Sequence, residues 1–142
     1  MKFAVQALER AARLRPGASP EAAHIATGRR GEDEACFFLR GLGYTVVARN
    51  WRSPRRRGEI DLVAWDGDVL CFIEVKTRST REVKPAEAAV DHAKQRELAA
   101  MARQYLRRRR GPTPVLRADV VSVYSDSQPP SITLFKDAFR LG

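Results

Sequence analysis

The 142-residue sequence predicts one α/β domain, in which a mixed β-sheet is flanked by helices and the core elements follow the order α-β-β-β-α-β. Two segments have apolar residues at helical spacing, one early in the chain and one past its middle. Between them, an Asp-Gly turn joins two β-rich runs into a hairpin. Further β-rich runs follow the second helix. Helices on both sides of such a sheet would bury its two faces.

The first 26 residues are expected to form an arm and linker that precede the domain of residues 27–142. Residues 1–14 have the spacing of a short amphipathic helix, and the two prolines and one glycine of residues 15–20 are typical of a linker. No apolar run is long enough for a transmembrane helix, and the charged start is unlike a secretory signal. Cys36 and Cys71 are expected to be buried and reduced, so a cytoplasmic location is expected.

Within the domain, the first helix is expected to begin between residues 27 and 31 and to end at Gly41. The second helix is predicted over residues 86–106, and an arginine-rich loop over residues 50–58. The predicted strands are, in order, residues 44–48, 60–65, 69–75, 117–124 and 132–135.

The charge balance indicates a polyanionic partner. The chain has 26 lysines and arginines against 17 acidic residues, which gives a formal net charge of +9. A phosphate backbone attracts such an excess through release of its counterions. A basic surface that only maintains solubility is the alternative, and charge alone does not decide between the two.

Three charged residues are expected to meet on the predicted hairpin. Strand side chains alternate between faces, so a two-residue turn at either candidate position places Asp61, Glu74 and Lys76 on one face unless a bulge intervenes. Ile60, Leu62 and Ala64 would share the other face, and Val63 would share that of Asp61. Two carboxylates suit a hard cation such as Mg²⁺, and a lysine beside them can orient water or neutralise developing charge. The alternative is a cross-strand salt bridge on a solvated face.

The stretches GRRGEDEACFFLRGLGYTVVARNWR and GEIDLVAWDGDVLCFIEVKTRS resemble the bacterial YraN-like family. That family is similar in pattern to archaeal Holliday-junction resolvases and belongs with the restriction-endonuclease-like superfamily. The resemblance covers about residues 28–139. It implies a restriction-endonuclease-like core, with Asp61 as the metal-binding aspartate, Glu74 and Lys76 as the Glu-x-Lys pair and Glu32 as the acidic residue of the first helix. One departure is Arg117-Ala118-Asp119, where the family usually has Arg-Phe-Asp.

Two of the candidate residues also stand out by helical geometry. Glu32 falls at the edge of the apolar face of its helix, although a role at the helix dipole is the alternative. Lys94 falls in the middle of the stripe formed by Val90, Leu98 and Met101. Its ammonium group either extends to the surface or reaches the acidic cluster as a further catalytic residue.

We therefore expect a Mg²⁺- or Mn²⁺-dependent endonuclease that hydrolyses phosphodiester bonds in DNA, with branched or repair-related DNA as candidate substrates. A non-catalytic nucleic-acid-binding module with the same fold is the alternative. Trp51 either stacks on a base or packs over the sheet. Because resolvase-like enzymes commonly act as dimers, a homodimer is a candidate assembly. The predicted nucleic-acid contacts are Arg52, Arg55, Arg56, Arg57 and Arg78.

Overall fold

The computed structural model of the protein describes residues 20–79, 90–126 and 128–142, with the backbone alone for residues 20–27. Helix α1 spans Pro20–Gly41 and helix α2 spans His92–Arg108. The strands are β1 (Thr45–Ser53), β2 (Arg56–Asp66), β3 (Val69–Arg78), β4 (Val115–Tyr124) and β5 (Ser131–Phe139). They form one sheet in the order β1-β2-β3-β4-β5. Strands β3 and β4 are parallel and the other neighbours antiparallel, which confirms the predicted α/β class with a mixed sheet.

Each face of the sheet has its own buried layer. On one face, Ala35 and Leu39 of α1 pack with side chains of all five strands. On the other face, Leu98 and Met101 of α2 pack against Phe72 and its neighbours on β2 and β3. Helix α2 lies between β3 and β4 in the chain, and a crossover of this kind is what lets two consecutive strands pair in parallel. No helix of the described ranges is long and apolar enough to cross a membrane.

Helix α1 begins earlier than expected. It starts at Pro20, which the sequence had suggested as the end of a linker, and so crosses the predicted domain boundary at residue 27. A proline suits the first position of a helix, because its missing N–H would have no partner there in any case. The predicted helix of residues 1–14 lies outside the described residues. The division into an arm and a domain stays a prediction.

The predicted arginine-rich loop is wrong. Strand β1 continues to Ser53 and β2 begins at Arg56, and these two residues pair across the hairpin. The Arg55 N–H donates to the Ser53 hydroxyl in the turn, at 3.2 Å. Backbone pairing thus extends through a segment whose side chains have low β-propensity, because tertiary context decides strand formation. Trp51 packs edge-to-face on Tyr105, with ring centroids 5.3 Å apart, which favours the packing interpretation of this residue.

Helix α2 begins with an aspartate cap. The Asp91 carboxylate accepts a hydrogen bond from the Lys94 N–H at 2.8 Å, which fixes the start of the helix at His92. Val90 is buried but precedes the helix, so it does not belong to the helical stripe as predicted. The expected start at residue 86 lies outside the described residues. Leu42 follows the end of helix α1 and is 55% exposed.

A charged network closes the sheet at the β2–β3 turn. Asp119 is fully buried, and Arg117 donates to both of its carboxylate oxygens at 2.8 and 2.9 Å. The same guanidinium donates to Asp66 and to the Tyr44 hydroxyl, each at 2.8 Å. Asp119 also accepts from the Asp137 N–H at 3.0 Å. The Arg117-Ala118-Asp119 segment therefore joins β4 to its neighbours. The side-chain hydrogen bonds come from Arg117 and Asp119, so none of them requires a larger residue than alanine at position 118.

Replacing Arg117 with methionine should destabilise the fold, because it leaves the buried Asp119 carboxylate without its cationic partner. Breaking a buried pair from one side costs about 3 kcal/mol or more in free energy of unfolding, measurable by urea denaturation. Metal binding by the folded protein should be unaffected, since five strand residues, about 16 Å, separate Asp66 from Asp61. A loss below about 1 kcal/mol would contradict the structural role of this network.

Candidate active site

The β2–β3 hairpin brings Asp61 and Glu74 side by side. Asp66 pairs with Val69, so the turn residues are Gly67 and Asp68, and the ladder runs to the pair of Leu62 and Ile73. Of the two turn positions considered from the sequence, this is the one that places Asp61 opposite Glu74. The ladder ends there, and the Val75 N–H donates instead to the Asp61 carboxylate at 2.8 Å. A side chain thus replaces a backbone acceptor at the point where the two strands separate.

The side-chain alternation of β2 breaks at Asp61. Leu62 and Ala64 pack with α1, as their shared parity requires, but Ile60 packs with Val63 on the α2 side. The prediction that Ile60 shares a face with Leu62 is therefore wrong, whereas the predicted shared face of Val63 and Asp61 stays a prediction. Asn50 lies across from Asp61 in the β1–β2 register and has a positive φ of 49°, in the left-handed region. Asp61 lies at this break, where its carboxylate is within 4.8 Å of that of Glu32 on α1.

Helix α1 adds a carboxylate to this position. Oxygens of Glu32, Glu59 and Asp61 all lie within 4.8 Å of one another. The helix comes close to the sheet at Gly31, where an added Cβ would lie 2.0 Å from the Thr77 hydroxyl oxygen. Glycine at this position thus lets Glu32 reach the strands. The prediction that Glu32 lies at the edge of the packed face of α1 agrees with this placement.

The acidic residues stand in an environment that disfavours their charges. Burial raises the pKa of Asp61, and the neighbouring Glu74 carboxylate raises it further, against the hydrogen bond from the Val75 N–H, which lowers it. Burial also raises the pKa of Glu32, against a hydrogen bond with Asn50. Glu74 is 5% exposed, and its Oε2 atom has no hydrogen-bond partner among the described residues. Such a site gains stability from any cation that it admits.

Two lysines approach Glu74 from different elements. Lys76 Nζ, two residues along β3, lies 3.3 Å from Glu74 Oε1, and Lys94 Nζ, on α2, lies 3.9 Å from the same atom. Both lysine side chains are about one-third exposed, at 29% and 31%. The ammonium group of Lys94 therefore reaches the acidic cluster, which was one of the two alternatives expected from its helical position. Its ammonium group also lies 3.8 Å from Glu97.

The predicted nucleic-acid contacts divide into three groups. Arg52 donates to Glu59 through two nitrogens, at 3.1 and 3.0 Å, and so lies directly beside the acidic cluster. Arg55, Arg56 and Arg57 are exposed around the β1–β2 turn. Arg78 is buried, with 6% of its surface exposed, so the prediction that it contacts a phosphate is disfavoured by its lack of accessible surface.

A cleft opens beside the cluster, and sequence reasoning missed part of it. The cleft has a volume of about 660 Å³, and its lining includes Glu32, Glu59 and Arg52. Arg29 and Arg49 line it as well, although neither was a candidate from the sequence. Glu59 was also missed. Its position two residues before Asp61 could have identified Glu59 as a member of the cluster, because strand residues at this spacing normally share a face.

Comparison with known proteins agrees with the resemblance seen in the two motif-bearing stretches. The model of the Uncharacterised protein family UPF0102 matches residues 31–123. A UPF0102 protein from Koribacter versatilis is 54% identical over 121 residues, which cover 85% of this chain and 84% of the relative. UPF0102 proteins from Solibacter usitatus and Symbiobacterium thermophilum are each 50% identical, over 72% and 68% of this chain and 77% and 80% of their own lengths. The chain therefore belongs to the protein family UPF0102.

Proposed function

We propose that the protein is a metal-dependent endonuclease that hydrolyses phosphodiester bonds in DNA. One observation carries the proposal: carboxylates of α1 and β2 converge beside the buried Glu74 of β3, and Lys76 Nζ lies 3.3 Å from Glu74 Oε1. A protein that only binds nucleic acid gains nothing from carboxylates at this point, because they repel phosphate. The resemblance to resolvases supports DNA as the substrate and makes branched or repair-related DNA the first to test.

The residues present fit a divalent metal ion. Mg²⁺ and Mn²⁺ prefer oxygen ligands, and Glu32, Glu59 and Asp61 offer them within 4.8 Å of one another. Glu74 adds a carboxylate next to Asp61. The Oε2 atom of Glu74 is buried without a hydrogen-bond partner in the described chain, which suits an acceptor of this kind. Asp61 and Glu74 are the ligands we assign, with Glu32 beside them. When bound, the metal would stabilise charge that develops on the phosphate and lower the pKa of water.

Lys76 and Lys94 supply positive charge beside Glu74. Lys76 is partly exposed and close to Glu74, so its ammonium group can donate to a phosphate oxygen or hold the attacking water by a hydrogen bond. Lys94 lies 3.9 Å from the same carboxylate oxygen and limits the negative charge around it. Together they counter the repulsion between the carboxylates and an approaching phosphate. In the cleft, Arg29 and Arg49 offer further positive charge to the nucleic-acid backbone.

The proposal is tested by cleavage assays on a panel of branched, nicked and linear DNAs, with EDTA, Mg²⁺ or Mn²⁺. We expect cleavage that requires one of the two metals. Tight DNA binding without cleavage of any substrate in either metal would support the non-catalytic binding module instead.

Replacing Lys76 with alanine should reduce cleavage by at least about a hundredfold, the usual effect of losing one group that contacts developing charge. DNA affinity should stay within a few-fold, because one lysine is a small part of a net charge of +9. Lys136→Ala is the matched control, since it removes a lysine at the other end of the sheet. If Lys76→Ala loses binding and cleavage together, the lysine anchors the substrate.

Replacing Asp61 with asparagine should abolish the stabilisation that a divalent metal gives the protein. In wild type, saturating Mg²⁺ or Mn²⁺ should raise the melting temperature, because a ligand that binds the folded state stabilises it. Without metal, the variant should be at least as stable as wild type, since it removes a buried charge beside Glu74. Asp68→Asn, in the exposed turn, should keep the metal response. Calorimetry that detects no metal in wild type with DNA present would contradict the assigned site.

Replacing Lys94 with methionine should reduce cleavage by at least about tenfold, because one of the two cations beside Glu74 is lost. Methionine keeps much of the stem length, so the variant should be as stable as wild type or more so. DNA binding in EDTA should change little. Undiminished cleavage by this variant would leave Lys94 as a surface-reaching residue without a catalytic task.

A further inference from the structure

A second groove lies along helix α2, away from the acidic cleft. It has a volume of about 620 Å³ and lies between α2, the start of β2 and the residues that follow β5. Small side chains of α2, including Ala93 and Ala100, form part of its lining and leave room above the helix. The arginines that line the groove are Arg56, Arg96, Arg103 and Arg140.

The charge of this groove is largely uncompensated. All four of its arginines are exposed, and within the described ranges none of them forms an ion pair with a carboxylate. Glu97 is the one acidic residue in the described lining, and it lies 3.8 Å from Lys94. Guanidinium groups held at the rim of a groove without internal partners are available to an anionic ligand.

The groove begins beside the candidate active site. Glu97 lines it and contacts Lys94, which in turn contacts Glu74. Strand β2 lies close against α2 here, since a Cβ added at Gly58 would lie 2.0 Å from Glu97 Oε1. Arg56, only two residues before Gly58, forms part of the groove wall. A polymer held at the acidic cluster can therefore continue past Glu97 into the basic groove.

We propose that this groove binds the sugar-phosphate backbone of the DNA that flanks the cleaved bond, an inference that rests on the proposed endonuclease function. Arg96 and Arg103 are seven residues apart on one face of α2, a separation of about 10 Å along the helix axis. This distance matches phosphates about three nucleotides apart on one strand, at about 3.4 Å per nucleotide. The groove favours DNA over an acidic protein because Glu97 in its lining is linked through Lys94 to Glu74, at a site suited to phosphodiesters.

The test removes two groove arginines and compares the result with a matched loss of charge elsewhere. The groove variant is Arg96→Ala/Arg103→Ala. The control is Arg40→Ala/Arg108→Ala, which removes two exposed helical arginines outside both the groove and the acidic cleft. Alanine favours helix at all four positions, so both variants should fold, as circular dichroism and thermal melting will show.

Binding is measured by fluorescence anisotropy in EDTA, on duplexes of about 10 and about 30 base pairs, one and three helical turns. On the long duplex, the groove variant should bind at least about tenfold more weakly than wild type, and its slope of log affinity against log salt should fall by about 2. The control should stay within about threefold of wild type. On the short duplex, which fills the cleft alone, the two variants should bind alike.

Equal binding by both variants on the long duplex would overturn the groove assignment. So would a groove variant that binds DNA like wild type but loses an acidic protein partner. The proposed function is judged separately, by whether wild type cleaves DNA in Mg²⁺ or Mn²⁺. A groove that contributes to binding in a protein that cleaves nothing would uphold the DNA-binding surface and reject the nuclease.

Discussion

The Val75 N–H donates to the Asp61 carboxylate where strands β2 and β3 separate, and the arrangement of the site depends on this hydrogen bond. A backbone N–H inside a sheet needs an acceptor, and here a side chain from the neighbouring strand supplies it. That holds Asp61 between the two buried layers. The carboxylate is then within reach of α1 on one side and Glu74 on the other, so elements from both faces of the sheet contribute to one centre.

This position has an electrostatic cost that the fold does not remove by itself. Asp61 is mostly buried, and the carboxylates of Glu32, Glu59 and Glu74 surround it. The nearest cations, Lys76, Lys94 and Arg52, approach the cluster from its margins. At the opposite end of the hairpin, by contrast, Arg117 fully pairs the buried Asp119. Within the described residues, the charge of Asp119 is thus paired with the guanidinium of Arg117, whereas that of Asp61 is surrounded by further carboxylates.

Much of this arrangement could be predicted from the sequence. The hairpin turn and the alternation of β3 are local features, so the shared face of Glu74 and Lys76 followed from spacing. One of the two turn positions considered from the sequence placed Asp61 opposite Glu74, and the structure has that turn. The spacing of α2 also placed Lys94 toward the sheet. The early start of α1 at Pro20 was missed because proline is typical of linkers as well as of first helical turns.

Other features depend on contacts that no local pattern records. The break of alternation at Asp61 and the left-handed backbone of Asn50 on the neighbouring strand have no local sequence signal. The extended β1–β2 hairpin formed through arginines whose propensity predicted a loop. The burial of Arg78, and the groove that joins Arg56 to Arg96 and Arg140, result from packing of segments far apart in the chain. Such features become visible only in the folded structure.

The close approach of α1 to β3 at Gly31 has a consequence for how the chain can vary. The contact with Thr77 leaves no space for even one methyl group, whereas Glu32 next to it projects into the cleft. A larger residue at position 31 would tilt the helix or shift it along its axis, and one residue of shift is about 1.5 Å. Such a displacement would move the Glu32 carboxylate away from those of Glu59 and Asp61, which now lie within 4.8 Å of it. The size of the residue at position 31 therefore sets the spacing of these oxygens.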